Sequence, residues 1–384
     1  MATTNYNSLK LSTANSNGRT VYTYFRDGLI VELATRWLRA LSSKPSYSQQ
    51  TVEQYGRNVT DFLRWLLDGE ECAKRSLDII LKIVTRRDIE AWIKDRKAAR
   101  IEASTLRNRE VAVKLLFDWF TTEEGGRVRT LENTPYKTDK LISPPPHPRR
   151  PRFVTCEDVI RLLNGFHNEC ERCLGHFLYD TGLRISEAER LLKREVPDPK
   201  HFPDGLKYYP LYVRGSKGRG GQIKERVAII SAPVLARIRR YHNSPEYRFS
   251  PYFDNSKPEK PAFLSVNGYR LSRRNFGKQM EYAAIRVGLD PRCFSPHKLR
   301  HGAAFSILSS ELGKDYFDRL FLVQQVFGHN QIMTTEIYTA VPPAILAKLN
   351  RDSVIKDKYE EAKRIKDATY LPLERHTEQR GHRQ

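Results

Sequence analysis

The chain has 384 residues, more than one hydrophobic core usually spans, so two domains of unequal size are expected. Its 66 Lys and Arg against 45 Asp and Glu leave a formal net charge of +21, which suits a polyanionic partner, nucleic acid first. It has no long apolar run or leader-like N-terminus to argue for membrane or export, and its five scattered cysteines argue against a disulfide framework; the reading is a soluble, cytoplasmic protein.

Residues 1 to 20, rich in Ser, Thr and Asn, read as a mobile tail. From 21 to 133 apolar residues recur at helical spacing. Leu29, Leu33, Trp37 and Leu41 mark one amphipathic helix, and Val52, Tyr55, Val59, Phe62 and Leu66 a second. A third is predicted from Thr85 to about Lys97, opened by Thr85 and Asp88 at capping-box spacing. A fourth runs from Ser104 to Phe120. Lys94, Arg96, Lys97, Arg100, Arg107 and Arg109 cluster at the junction of the last two, a pattern that suits phosphate contact.

Residues 134 to 152 are dense in proline and basic, and can form neither a helix nor a central strand. They read as a linker whose Arg149, Arg150 and Arg152 could follow a DNA backbone.

The second domain spans 153 to 343. Thr155 and Asp158 open a helix, another ends at Gly182, and Tyr208 to Val213 with Ile223 to Ile230 form a hairpin around a glycine-rich turn holding Lys217 and Arg219. The rest is mostly helical to Asp367. The fold class is therefore mainly α with a small β-sheet, an α+β second domain following a helical first one. In 344 to 384 a polar helix with a thin stripe of Leu346, Leu349 and Ile355 could dock in cis or on a neighbouring protomer.

Metal binding has two candidate patterns, and both fail. Cys170 and Cys173 lack a second pair, so packing on one helical face accounts for them. His297 and His301 have zinc-helix spacing, yet Lys298 stands where a glutamate would. No metal or cofactor is expected.

Four motifs could carry chemistry. In TGLRISEAERLL, Gly182 can end a helix and Ser186 with Glu189 can cap the next, which holds Arg184 in a corner where its guanidinium could fork onto phosphate or pair with Glu187. Lys217 in the hairpin turn could reach a groove, as could Lys224 of the same hairpin. In SPHKLRH, Ser295 and Pro296 begin a helix, so His297 and Arg300 lie one turn apart near its positive end. In FGHNQIMTTEIYTAV, His329 follows a helix end and Tyr338 sits on the next helix.

In this order the motifs resemble the signature of the tyrosine recombinase or phage integrase family, which includes the Xer-type chromosome recombinases and the lambda-type integrases. The resemblance covers most of 155 to 345, and the preceding helical region looks like the family's SAM-like core-binding domain. It implies a metal- and ATP-independent strand transferase of bacterial or archaeal cytoplasm, working at the nucleoid. Arg184 and Arg300 would hold the scissile phosphate, and Lys217 would protonate the leaving group. His297 and His329 would handle protons, and Tyr338 would attack to give a 3′-phosphotyrosyl enzyme. Four protomers on two double-stranded DNA sites would act together, with an accessory DNA-bending or directionality protein as a further partner. The sequence departs from the family's pattern at Gly302, often Thr or Ser, and at Phe327, usually Leu. A type IB topoisomerase, or a DNA-binding protein of the same fold that no longer cuts, are the alternatives.

Overall fold

A computed structural model describes residues 9–16, 19–69, 75–146, 154–217, 223–310, 316–327 and 357–370. Two compact units divide at Pro148 and Arg149, each with its own core.

The first unit opens on a sheet where the sequence suggests a tail. Strands β1 (Leu9–Ser16) and β2 (Arg19–Arg26) pair antiparallel with Ser16 opposite Arg19, and the short β3 (Leu29–Ile30) pairs with β2. What holds the hairpin down is a pair of buried tyrosines, Tyr22 and Tyr24, whose hydroxyls donate to the carbonyls of Gln49 and Gly56 at 2.9 and 2.5 Å. Leu29 therefore belongs to a strand, and helix α1 starts at Glu32 (Glu32–Ser43).

Four further helices follow among the described residues: α2 (Gln49–Leu67), α3 (Leu77–Ile83), α4 (Arg86–Ala98) and α5 (Ala103–Phe120). Thr85 and Asp88 form the expected capping box on α4, with the Thr85 N–H donating to Asp88 Oδ2 at 2.7 Å. Trp37, Phe62, Trp92, Phe117 and Phe120, all fully buried, make the centre of this core. The predicted linker starts later than its proline content implies: Tyr136 is buried in the same core, and Glu110 accepts from the backbone N–H groups of Ile142 and Ser143 at 2.6 and 2.8 Å. Arg149, Arg150 and Arg152 lie outside the described residues.

In the second unit come α6 (Cys156–Asn164), α7 (Glu169–Thr181), α8 (Ile185–Ala188), β4 (Tyr208–Lys217) and β5 (Ile223–Ser231). They are followed by α9 (Ala232–Asn243), α10 (Pro245–Arg248), α11 (Arg273–Arg286), α12 (Pro296–Ser309), α13 (Tyr316–Phe327) and α14 (Lys358–Thr369). Thr155 and Asp158 cap α6 as their spacing predicts. Phe177, Leu178, Ile238, Leu299 and Ile307 occupy the core, with Cys173 buried among them and its thiol pushed up by that burial. β4 pairs antiparallel with β5 and runs to Lys217, which stands opposite Ile223. Lys217 thus has a strand backbone, not the turn expected for it.

Helix α14 packs on α6, α7 and α9 of its own unit. Residues 344–356 lie outside the described residues. No helix among the described residues is long and apolar enough to cross a membrane.

Candidate active site

The corner after α7 sets the site. Gly182 has φ +64°, the left-handed conformation that glycine adopts without strain, and a Cβ there would lie 2.3 Å from the Phe327 ring. Both conditions exclude other residues. The chain then turns so that Arg184, and not Ser186, is the N-cap of α8: its N–H donates to Glu187 Oε2 at 2.8 Å.

Glu187 is fully buried and serves two arginines. Arg184 Nη1 lies 3.2 Å from Oε1, while Arg226 of β5 forks onto both oxygens at 2.7 and 2.8 Å. Burial alone would raise the carboxyl pKa; the hydrogen bonds and charge of Arg226, with the Arg184 N–H and charge, hold it down at about 2. Glu187 therefore stays ionised at neutral pH. Because Arg226 answers that charge in full fork geometry, Arg184 keeps a partly exposed guanidinium with net positive field.

Arg300 approaches the same corner from α12. Ser295 caps that helix, accepting from the Lys298 N–H at 3.2 Å, and Pro296 occupies its first position as the sequence predicts. Arg300, only 2% exposed, donates to the Gly182 carbonyl at 2.5 Å and to the Phe327 carbonyl at 2.6 Å, with its guanidinium carbon 4.4 Å from the centroid of the Phe327 ring. One turn earlier sits His297. Partial desolvation, then the charges of Arg300 and Arg184, hold its pKa below the ordinary histidine value. Both guanidinium groups thus act on one imidazole. His301 stacks edge-on against that ring at 4.3 Å between centroids, and burial followed by His297, Arg300 and Lys298 brings it to about 4.

Arg184, His297 and Arg300 are accordingly gathered at one place, from segments far apart in sequence. Lys217 has its backbone at the distal end of the adjoining hairpin, and Lys224 lies on β5. His329, Tyr338 and Arg219 lie outside the described residues. In the first unit Lys94, Lys97 and Arg100 are exposed. Arg96 and Arg109 instead bracket Asp61 at 3.1 and 2.8 Å, and Arg107 donates to the Ser143 carbonyl at 2.6 Å.

Arg226 is the participant that motif reading misses. Its signal is phase: it shares a strand face with the buried Ala228 and Ile230, and a charge placed there needs a partner. The departure at Gly302 also has a cause, since a Cβ would stand 2.8 Å from the Tyr179 ring and 3.0 Å from the Val154 carbonyl oxygen.

The chain is 29% identical over 325 residues to the tyrosine recombinase XerC of Bradyrhizobium diazoefficiens, across 82% of this chain and 91% of that one. It is 25% identical over 321 residues to the tyrosine recombinase XerD of Rickettsia bellii, across 80% and 94%. Among solved structures, XerH site-specific recombinase bound to a palindromic difH substrate, a post-cleavage complex, aligns with a TM-score of 0.57 at 18% identity over 78% of this chain and 79% of that chain. A lambda integrase dimer bound to a COC′ core site aligns at 0.56 and 15% identity over 85% and 78%. The N-terminal SAM-like domain of phage integrases matches residues 34–124. Because the phage integrase family model matches residues 152–344, half of the chain and all of the arginine corner, this protein belongs to the phage integrase family, the tyrosine recombinases.

Proposed function

We propose that the protein is a site-specific DNA recombinase that cuts and rejoins strands through a phosphotyrosyl bond to Tyr338. The observation that carries the reading is that Arg300 donates to the Gly182 carbonyl, two residues before Arg184, with His297 one turn before Arg300 on the same helix and under the charge of both arginines. A guanidinium pair with an imidazole is a site for a phosphodiester, whose pentacoordinate transition state gathers negative charge on oxygen.

In the reaction the Tyr338 hydroxyl gives up its proton as its oxygen bonds to phosphorus, and the bond to the 5′ oxygen breaks. Arg184 and Arg300 neutralise the charge that develops, His297 and His329 donate hydrogen bonds or relay the tyrosine proton, and Lys217 or Lys224 gives a proton to the departing 5′ hydroxyl. The enzyme-linked ester conserves the bond energy, so a 5′ hydroxyl from a second duplex reverses the step without ATP. Four protomers on two duplexes follow from that exchange, and the exposed Lys94, Lys97 and Arg100 suit the phosphates that flank the site. The named relatives, XerC and XerD, support this reading.

The test is covalent capture from a library of nicked duplexes with randomised sequence, resolved on denaturing gels. The wild-type chain should trap a defined duplex, and Tyr338→Phe should bind that duplex and trap none. Equal trapping by Tyr338→Phe, or no trapping by the wild type, overturns the proposal.

A further inference from the structure

β5 alternates along its length. Ala228 and Ile230 are fully buried while Val227 is 45% exposed, and Arg226 falls in step with the buried pair. An arginine directed at a core is unfavourable unless its charge is met, and here it is met by Glu187 through two parallel bonds of 2.7 and 2.8 Å. The pair joins two elements with different tasks. Glu187 lies on α8, whose N-cap is Arg184, and Arg226 lies on the hairpin that carries Lys217 and Lys224.

Beyond its base, where Leu211, Val213, Ala228 and Ile230 pack in the core, the hairpin's other ties are weaker. Arg214 pairs with Glu195 at 2.6 Å, but its side chain is 59% exposed, so water screens the contact, and Arg190 reaches the Gly215 carbonyl at 3.4 Å. Beyond Arg214 the strand register is irregular before Lys217 pairs with Ile223. The distal end therefore lacks a continuous ladder between itself and the core, and its position follows from the last firm anchor before it. That anchor is Arg226, opposite Val213.

We infer that Arg226 is a positioning residue for strand cleavage: its fork onto Glu187 fixes the β4–β5 hairpin, and the proton-donating lysine on it, relative to Arg184. The inference rests on the function proposed above. In this role Arg226 acts through Glu187 and the hairpin backbone. A variant that keeps the charge facing Glu187 leaves Arg184 as it is, so the loss of the fork falls on the leaving-group side, where the lysine proton goes to the 5′ oxygen as the bond to phosphorus breaks.

That confinement makes a test with two substrates decisive. The trapped duplex is synthesised with either oxygen or sulfur bridging phosphorus to the 5′ carbon at the scissile position; a thiolate leaves without a proton. Arg226→Lys keeps the charge and loses the fork. It should slow covalent-complex formation on the oxygen duplex by about 10²-fold, the low end of what a placed general acid contributes, and on the sulfur duplex by less than about threefold. Equal slowing on both duplexes, or no slowing on the oxygen duplex, overturns the inference while leaving the recombinase reading intact. Absence of a wild-type complex on the oxygen duplex overturns that reading instead. Should Arg226→Lys fail to fold, Arg226→Met combined with Glu187→Gln leaves no uncompensated buried charge and is judged by the same oxygen-to-sulfur difference.

Discussion

Arg300 and Phe327 hold each other twice: the guanidinium carbon stands 4.4 Å from the ring centroid, and Nη2 donates to the Phe327 carbonyl at 2.6 Å. The ring also fills the space above Gly182. Replacing Phe327 with the family's usual leucine removes the cation–π contact and part of the packing but keeps the backbone bond. Phe327→Leu should therefore fold and lose about 1–2 kcal/mol of unfolding free energy by urea titration. A loss above about 4 kcal/mol would mean that the ring, and not the carbonyl, sets the arginine.

Gly302 gives a second, sharper prediction. A serine there places its Cβ 2.8 Å from the ring of Tyr179, a buried residue whose hydroxyl donates to Glu361 at 2.8 Å, and 3.0 Å from the Val154 carbonyl oxygen. Neither neighbour can move cheaply. Gly302→Ser should cost about 1–3 kcal/mol, and less in a Tyr179→Leu background, where the ring is gone. Additive costs in the double-mutant cycle would remove the clash as the explanation.

The parts of the fold that were legible are those decided within one helical turn. Thr85 with Asp88, Thr155 with Asp158, and Ser295 before Pro296 all cap helices as their spacing predicts, because the partners are three residues apart. At α8 the same rule misleads. Ser186 and Glu189 have the right spacing, but the left-handed turn at Gly182 restarts the helix two residues earlier, at Arg184. The N-terminal hairpin escapes a periodicity search because Ser12 to Asn15 are exposed, which erases alternation; Asn17-Gly18 between the strands is the overlooked turn signal. Arg226 is hidden for a different reason. Its partner lies 39 residues away, and only the phase of β5 points to it.

Acid should weaken the fold in a defined window. Burial, then the charges of Arg237, Lys358 and Lys366, hold His176 well below 6.5, and burial, with Lys193 and Lys260 against the Ala262 hydrogen bond, brings His242 to about 4. Between pH 6.5 and 4 the unfolded chain thus binds more protons than the folded one. Stability is full above pH 6.5 and falls as pH drops, by at most about 1.4 kcal/mol per pH unit for each histidine. Below 4.5 Glu187, held at about 2, adds loss in the same direction, while Asp180, raised by burial, opposes it. Urea titrations at pH 8, 6 and 5 should show the decline, and His242→Gln should make it shallower without abolishing it, since His176, His297 and His301 are lowered in the same direction. A flat profile in the wild type would contradict the buried, neutral state of both rings.

The last helix depends on a buried charge pair. Arg237 of α9 is 1% exposed and donates to both carboxylate oxygens of Glu169 on α7, at 2.6 and 3.0 Å, and also to the Thr369 hydroxyl and carbonyl at the end of α14, at 2.8 and 3.1 Å. Two elements of the core and the C-terminal helix meet on one guanidinium. Removing the arginine strands Glu169 without its counter-charge, so Arg237→Leu should cost about 3–5 kcal/mol. Changing both residues to leucine removes the stranded carboxylate but also the charge that faces the buried Arg172, and should recover part of that stability. It cannot recover the bonds to Thr369. Amide hydrogen exchange should therefore be faster in residues 358–369 of the double variant than in the wild type, even where global stability is close. Wild-type protection there would show that Arg172, which donates to the Thr369 carbonyl at 3.0 Å, with Tyr179, Ser306 and Asp180, which reach α14 through Glu361 and Lys358, suffice to dock it.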